Sequence, residues 1–139
     1  MKEIINFLKP YTTRAYLVGG ASRDILMGKT PTDFDIEIYD ISPQFFEKLM
    51  LKLGAKGVGK SFFVYKYKNF DLSLPRIENK NGYGHTGFEV KITQNEKTAS
   101  IRRDFTINSI MINIFTNEIL DFWGGKEDIK NRIIKLIDK

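Results

Sequence analysis

The heptapeptide DFDIEIY, residues 33–39, points to the fold class, because polar and apolar residues alternate along it without a break. Alternate side chains of a β-strand point to opposite faces of its sheet. The pattern therefore predicts a strand with Asp33, Asp35 and Glu37 on one face and an apolar opposite face. Two carboxylates on one face can share divalent cations with a nucleoside triphosphate. An isolated pair of this kind more often lies on a solvated strand face, so other motifs are needed to distinguish a metal site from such a face.

The residues just upstream supply such a motif. The apolar run AYLV, residues 15–18, predicts a buried strand, and the glycines Gly19 and Gly20 predict a tight turn into a helix. Backbone N–H groups at such a turn, with the positive end of the helix, can face a phosphate. Arg23 lies one turn into this helix, where it suits either a bidentate phosphate contact or a surface ion pair with Asp24.

Further elements follow from local signals along the first two thirds of the chain. We predict a short helix over residues 2–9, a helix capped by Ser42 and ended by Gly54, a hairpin between Ser61 and Leu74 that turns at Lys68–Asn69, and a glycine-rich loop over residues 76–92.

For the last third, the helical spacing of Ile107, Ile110, Met111 and Ile114 predicts a helix that starts at a Thr93/Glu96 capping box. Arg102, Arg103 and Asp104 would lie on this helix and offer two guanidinium groups and a carboxylate. A solvated helix edge explains the same three residues. A short strand over residues 119–122 and an amphipathic helix through Ile133, Ile134 and Ile137 complete the prediction.

Length and composition limit the function classes. The 139 residues suit a single domain over 1–139, with 42% hydrophobic and 28% charged residues, as in globular proteins. The sequence has no cysteine and one histidine, His85, so a metal would need oxygen ligands, which favours Mg²⁺ or Mn²⁺. No secretory signal or membrane-spanning apolar run is visible, which predicts a cytoplasmic protein without a membrane partner.

The charge balance is compatible with a nucleic-acid partner. The net charge is +5, which suits a polyanion but is also common in lysine-rich soluble domains. Lysines and tyrosines between residues 60 and 91 could follow an RNA backbone and stack on bases, although ordinary surface lysines and hairpin aromatics explain them as well. They are Lys60, Lys66, Lys68, Lys80, Lys91, Tyr65, Tyr67 and Tyr83.

Taken in order, the motifs resemble the head domain of the class II tRNA nucleotidyltransferases (CCA-adding enzymes) and their bacterial poly(A) polymerase relatives. The matching segments are LVGGASRD at 17–24, DFD at 33–35, RRDFTIN at 102–108, and Asp121 with Gly124, Gly125 and Asp128. The resemblance spans about residues 15 to 139. It implies an α+β fold like that of DNA polymerase β, with a mixed, mainly antiparallel sheet flanked by helices.

The resemblance also implies roles for individual residues. Asp33 and Asp35 would be the catalytic residues and the Mg²⁺ ligands. The incoming ATP or CTP would be bound by the glycine turn, the first-motif arginine and the later motif, namely by Gly19, Gly20, Arg23, Arg103 and Asp104. A third carboxylate often completes such sites, and both Asp71 and Asp104 qualify. The reaction implied is addition of CMP or AMP to a tRNA 3′ end, with release of pyrophosphate.

The sequence departs from the family pattern in places. Ser22 stands where family members usually have a branched apolar residue, and Ala99 stands where an acidic one is often found. The base-selecting neck of the family, and its body and tail, are expected beyond Lys139. Either the chain is an excised or shortened head domain, or it is a natural minimal enzyme that obtains selectivity elsewhere, for example from a homodimer or a partner protein that supplies the neck. Alternatives are a poly(A) polymerase-like or minimal enzyme acting on another RNA or a protein, and a non-catalytic module that binds nucleotides or RNA.

Overall fold

A computed structural model describes residues 1–58, 64–77 and 91–138. Its strands are β1 Ala15–Val18, β2 Phe34–Ile38, β3 Lys56–Val58, β4 Val64–Tyr67, β5 Phe70–Ser73, β6 Arg76–Ile77, β7 Lys91–Ile92, β8 Met111–Asn113 and β9 Ile119–Leu120. Seven of the described strands form one sheet in the order β3-β4-β5-β2-β1-β8-β9, and β6 pairs with β7 separately. In the large sheet β2 and β5 are parallel and the other pairs are antiparallel. The predicted mixed, mainly antiparallel sheet is confirmed.

The helices are mostly short. They are α1 Lys2–Leu8, α2 Gly19–Leu26, α3 Pro43–Leu53, α4 Glu96–Ser100 and α5 Gly125–Lys130, with a 3₁₀ turn at Thr106–Asn108. Helix α3 begins and ends as predicted, because the Ser42 side chain accepts from the Phe45 N–H and Gly54 adopts a left-handed conformation with φ 86°. No helix among the described residues is long and apolar enough to cross a bilayer.

The two faces of the large sheet have opposite character. On one face Leu17, Ile36 and Leu72 pack in the main core together with the buried side chains of α1 and α3. The other face carries Asp35 on β2 and Asp71 on β5. Because β1, β2 and β5 lie side by side at the centre of the sheet, the apolar face fixes where the acidic face presents its carboxylates.

The predicted helix from Thr93 to Ile114 is wrong. Helix α4 covers only Glu96–Ser100, and its cap is Asn95, whose side chain accepts from the Thr98 N–H at 2.9 Å. Residues 111–113 instead form β8, which pairs with both β1 and β9. A short, mainly apolar run fits either period, and here pairing with the edge of β1 decides in favour of a strand. Arg102 and Arg103 therefore lie in an irregular connection rather than on a helix.

The predicted C-terminal helix is also too long, because α5 ends at Lys130. The backbone downstream bonds to another segment: Lys135 O accepts from the Thr106 N–H at 2.9 Å, and the Ile137 N–H donates to Asp104 O at 3.0 Å. These bonds replace the i to i−4 bonds of a helix. Ile137 is buried by this arrangement, whereas Ile134 remains 74% exposed.

Two further predicted elements are present, and other predictions concern residues that the structure does not describe. The turn at Lys68–Asn69 joins β4 and β5 as a hairpin, and the strand predicted over 119–122 is present as the shorter β9. Residues 59–63 and 78–90 lie outside the described part of the chain, and with them the predictions for Lys60, Lys80, Tyr83, His85 and most of the loop over 76–92.

Candidate functional site

A pocket of about 230 Å³ opens on the acidic face of the sheet. Its polar lining consists of the two aspartates of β2 and β5, three arginines and a serine: Asp35, Asp71, Arg76, Arg102, Arg103 and Ser73. These residues come from segments up to 68 positions apart in the sequence, which is the separation of Asp35 and Arg103. The pocket therefore combines a paired acidic centre with a basic wall.

The acidic centre results from strand register. Asp35 and Asp71 are direct partners across the parallel pair β2–β5, so their side chains share one face. Burial and then the neighbouring Asp71 carboxyl raise the pKa of Asp35, against the opposing charge of Arg103. Of the two candidates for a third carboxylate, Asp71 lies in the pocket with Asp35. Asp104 is exposed, and its side chain is not part of the pocket lining.

The basic wall is held by Glu37, whose role sequence reasoning missed. Glu37 is only 2% exposed, and its Oε2 accepts from Arg102 Nη2 at 3.2 Å and from Arg103 Nη2 at 3.3 Å. The Tyr39 hydroxyl donates to the other carboxylate oxygen at 3.3 Å. One carboxylate thus anchors two guanidinium groups, which leaves a net positive charge facing the pocket. Alternation along β2 placed Glu37 on the acidic face, but nothing local indicated partners 65 and 66 residues away.

Arg102 and Arg103 keep hydrogen-bonding capacity. Arg102 Nε is a buried donor without a hydrogen-bond partner among the described atoms. For Arg103, burial and then the charge of Arg102 lower the pKa, while Glu37 and Asp35 oppose that shift. A guanidinium stays protonated under these conditions, and an incompletely satisfied one is suited to accept an anionic ligand such as a phosphate.

The glycine turn lies against this centre. Gly19 has φ +68°, a left-handed conformation that favours glycine, and a Cβ there would lie 3.4 Å from Asp35 Oδ2 and 3.9 Å from Arg103 Nη1. The turn therefore brings the start of α2 directly beside the two charged groups. The following Gly20 lies under Arg23, whose Nη2 would be 3.3 Å from a Cβ at that position.

The sequence left open whether Arg23 contacts phosphate or forms an ion pair with Asp24, and its contacts in the structure match the ion pair. Its Nη2 lies 3.0 Å from Asp24 Oδ1, and its Nη1 donates to Asn108 Oδ1 at 3.1 Å. Arg23 is not part of the pocket lining described above. A nucleotide contact of Arg23 stays a prediction.

Asp33 lies just outside β2, two residues before Asp35, and its role as a metal ligand stays a prediction. It is exposed in a bend just before β2 and is not part of the pocket lining. In residues 1–58, 64–77 and 91–138, no three histidine or acidic side chains converge on one point. Mg²⁺ in proteins is commonly held by one or two carboxylates together with substrate phosphates and water. Asp35 and Asp71 are half-buried, and the neighbouring Asp71 charge contributes to the raised pKa of Asp35, so their oxygen donors fit such an ion.

The fourth motif has a structural role in this arrangement. Asp121 accepts from the backbone N–H groups of Gly125 and Lys126 at 2.7 and 3.0 Å, which caps α5. Asp128 accepts from the Thr106 hydroxyl at 2.6 Å, just after the arginines. A Cβ at Gly125 would collide with the Thr106 carbonyl oxygen. The motif therefore packs α5 tightly against the connection that carries Arg102 and Arg103.

Ser22, a departure from the family pattern, is also explained. It is fully buried, and its hydroxyl lies 2.7 Å from Ile110 O and 2.9 Å from Gly19 O. The hydroxyl thereby links α2 to the segment that enters β8, which an apolar side chain would join by packing alone.

This sheet, with its glycine turn, paired aspartates and arginine wall, is the α+β fold of a nucleotidyltransferase head domain. The sequence matches the family described as "Poly A polymerase head domain" over residues 15–135, and the chain belongs to that family.

Relatives in sequence carry related names. The chain is 36% identical over 131 residues to the "Multifunctional CCA protein" of Xylella fastidiosa (strain 9a5c). The matched region covers 89% of this chain and 30% of that protein. It is 40% identical over 128 residues to the "CCA-adding enzyme" of Buchnera aphidicola subsp. Cinara cedri (strain Cc), covering 88% of the chain and 30% of that protein. The chain thus spans less than a third of the length of these relatives.

Solved structures share the fold. The CCA-adding enzyme of Bacillus stearothermophilus in complex with CTP matches with a TM-score of 0.74 at 30% identity, covering 97% of this chain and 32% of that one. A tRNA nucleotidyltransferase complexed with a primer tRNA and an incoming ATP analog matches with a TM-score of 0.67 at 25% identity, covering 96% and 38%.

Proposed function

We propose that this chain is the catalytic head domain of a tRNA nucleotidyltransferase, which adds CMP, AMP or both to the 3′ end of a tRNA. The observation that carries this proposal is the placement of Asp35 and Asp71 against Arg102 and Arg103 in one pocket. Membership of the poly(A) polymerase head-domain family and similarity to a protein named CCA-adding enzyme support this proposal.

In the reaction, the RNA 3′-hydroxyl attacks the α-phosphate of CTP or ATP. The bond between the α- and β-phosphates breaks, and pyrophosphate leaves. Arg102 and Arg103 neutralise the triphosphate, since paired guanidinium groups match phosphate geometry. Backbone N–H groups at Gly19 and Gly20 contribute at the start of α2. Arg23 and Asp104 complete the nucleotide contacts if they reorient when the substrate binds.

Asp35, with Asp71 or Asp33, would hold Mg²⁺ or Mn²⁺. A bound divalent ion supplies charge neutralisation of the triphosphate and a lower pKa for the attacking hydroxyl. Asp35 or Asp33 receives the hydroxyl proton, directly or through water. Glu37 binds no substrate in this scheme, and it orients the two arginines toward the pocket.

Selection between CTP and ATP requires groups beyond those in the pocket. We assign it to a neck contributed by the rest of a longer polypeptide, a second copy of the chain or a partner protein, with the reaction taking place in the cytoplasm. A poly(A) polymerase-like or minimal enzyme would use the same pocket on other acceptors. A non-catalytic module would bind nucleotide and RNA without turnover.

The deciding experiment offers labelled CTP or ATP and a tRNA that ends before its CCA sequence, with Mg²⁺ and with excess chelator. We expect Mg²⁺-dependent incorporation that exceeds incorporation into an unrelated RNA of equal length. Equal incorporation into both RNAs would favour the poly(A) polymerase-like alternative. Nucleotide binding without incorporation, by a protein that includes the neck, would refute the catalytic assignment.

A further inference from the structure

A row of charged side chains crosses the sheet away from the pocket. Lys56 on β3 is the register partner of Lys66 on β4, Lys66 is the partner of Asp71 on β5, and Asp71 is the partner of Asp35 on β2. Residues that are paired across neighbouring strands project from the same face. The acidic centre therefore continues, strand by strand, into two lysines.

The lysine end of this row is open to solvent. Lys56 and Lys66 are exposed, and the apolar pair Val58 and Val64 lies next to them in register, with Val58 50% exposed. A groove of about 730 Å³ lies at this edge of the sheet. It is lined by Lys56, Val58 and Lys66, and also by Gly54, Gly57, Tyr67 and Lys68, of which Gly57 and Tyr67 belong to the opposite face. We call the four residues Lys56, Val58, Val64 and Lys66 the basic edge.

The basic edge and the pocket meet at one ion pair. Lys66 Nζ lies 3.2 Å from Asp71 Oδ1, and Val64 of the basic edge is also part of the pocket lining. The lysines of the basic edge and the acidic centre are therefore joined along one face of the sheet by the register row Lys56, Lys66 and Asp71.

The chemistry of the proposed reaction gives this edge a direction. In nucleotidyl transfer the attacking and leaving oxygens lie roughly in line. The glycine turn and Arg103 lie on the β1 side of Asp35, so the triphosphate and its leaving group belong there. The attacking 3′-hydroxyl then enters from the opposite side, across β5. The RNA that carries this hydroxyl would extend over β4 and β3.

We propose that the single-stranded RNA segment preceding the reactive 3′ end lies on the basic edge, with phosphates at Lys56 and Lys66 and sugar or base surfaces against Val58 and Val64. The inference rests on the proposed function, since it takes an RNA 3′ end as the acceptor. Surfaces that bind single strands without sequence readout combine cationic contacts to the backbone with side chains on which the bases stack. The basic edge supplies the cations and, in place of aromatic rings, two apolar side chains.

The test measures the binding of a fluorescein-labelled single-stranded RNA by anisotropy over a series of KCl concentrations. The double variant Lys56→Gln/Lys66→Gln removes the cations of the basic edge. The matched control Lys48→Gln/Lys52→Gln removes two exposed lysines from α3, which packs on the opposite face. Melting temperatures of both variants verify that they fold.

We expect the slope of log affinity against log salt to fall by about 1.4 in the basic-edge variant, roughly 0.7 for each phosphate of the single strand that a lysine no longer neutralises, with little change in the control. Equal reductions of the slope in both variants would overturn the proposal, and so would absence of RNA binding by the unmodified chain. Displacement of the RNA by polyglutamate at an equal concentration of charge would also overturn it, because the edge would then bind acidic polypeptides as well.

The nucleotide incorporation assay separates this inference from the proposed function. RNA binding through the basic edge without incorporation, by a protein that includes the neck, would leave the surface established and the catalytic proposal refuted. Incorporation by the unmodified protein, together with equal RNA binding by the basic-edge variant and the control, would support the catalytic proposal and refute the RNA surface.

Discussion

The two faces of the central sheet are built from the same strands but stabilise the protein differently. On the apolar face Ile36 and Leu72, both fully buried, join the core beneath α1 and α3. On the acidic face their neighbours in sequence, Asp35 and Asp71, place two like charges side by side, and burial disfavours the charge of Asp35. The first face carries the main core. The second face combines a smaller buried cluster, to which Tyr16 and Val18 belong, with an unfavourable pair of carboxylates that a cationic ligand would relieve.

This contrast shows why strand alternation is informative about function. Each substitution on β2 or β5 should affect mainly stability or mainly activity, according to the face it occupies. Glu37 is the exception, because it is buried on the acidic face and holds two arginines.

The largest difference between the effect on activity and the effect on stability is expected for Asp35→Asn. Loss of a carboxylate from the acidic centre should reduce nucleotide incorporation by about 10³-fold. The melting temperature should stay the same or rise, since the substitution removes a charge that burial and Asp71 already disfavour. Incorporation kinetics and calorimetry measure the two quantities, with the exposed Asp138→Asn as the matched control. A variant that loses stability together with activity would contradict the division between the faces.

Leu72→Ala tests the apolar face one residue away from Asp71. Leu72 is 0% exposed, so the cavity should lower the free energy of unfolding by about 3 kcal/mol. Activity per folded molecule should persist at low temperature. Leu51→Ala on α3, where the side chain is 69% exposed, should cost less than about 0.5 kcal/mol. Urea denaturation of both variants measures the difference, and comparable decreases in stability would argue against this core assignment.

Glu37→Gln should affect both properties. Removing the anchor leaves two guanidinium groups with a poorer partner, which should cost about 2 kcal/mol of stability, below the range for fully buried pairs. The reduction reflects the residual solvent access of the Arg102 and Arg103 side chains, 14% and 20%. The KM for the nucleotide should rise more than kcat falls, because the arginines bind the triphosphate in the proposed scheme. Glu118→Gln, exposed before β9, is the control, and an unchanged KM would show that Glu37 has a structural role alone.

The smallest effect concerns the far end of the acidic face. Glu96 accepts from the Tyr16 hydroxyl at 2.8 Å and lies 3.2 Å from Arg14. Burial acts to raise the pKa of Glu96, but hydrogen bonds from its own backbone, Tyr16 and Arg14 outweigh burial and lower it below 4.5.

Because the folded-state pKa is the lower one, the stabilisation is fully present above the unfolded pKa and is lost as the pH falls through the folded value. Glu96→Gln should therefore destabilise the protein more at pH 7 than near pH 3, as measured by denaturation at both pH values. The exposed Glu47→Gln should show no such dependence. A difference between wild type and Glu96→Gln that is constant with pH would exclude this contribution.

The elements that the sequence predicted correctly are those with local signals. Strict alternation identified β2, and the Ser42 cap and Gly54 identified α3, because these patterns act within a few residues. The segment from Thr93 to Ile114 failed because its apolar residues fit a helix and a strand, and pairing with β1 decided between them.

The candidate site was predictable only in part. The sequence placed Asp35 and the Arg102–Arg103 pair among the candidates, but it left Asp71 and Asp104 equivalent. Their difference depends on the parallel register of β2 and β5, which no local pattern encodes. The clamp of Glu37 on two arginines is likewise a long-range contact that becomes visible only after the sheet is assembled.

The parallel pairing of β2 and β5 also bears on how the chain folds. The antiparallel pair β1–β2, which is connected through α2, and the hairpin β4–β5 depend on more local contacts, but Asp35 and Asp71 meet only when the two pairs join around α3. Neither strand pair alone contains the pocket, so nucleotide should bind only to the completed fold and should slow unfolding without accelerating the earlier steps. Ligand-dependent refolding kinetics would then report when the two halves of the sheet come together.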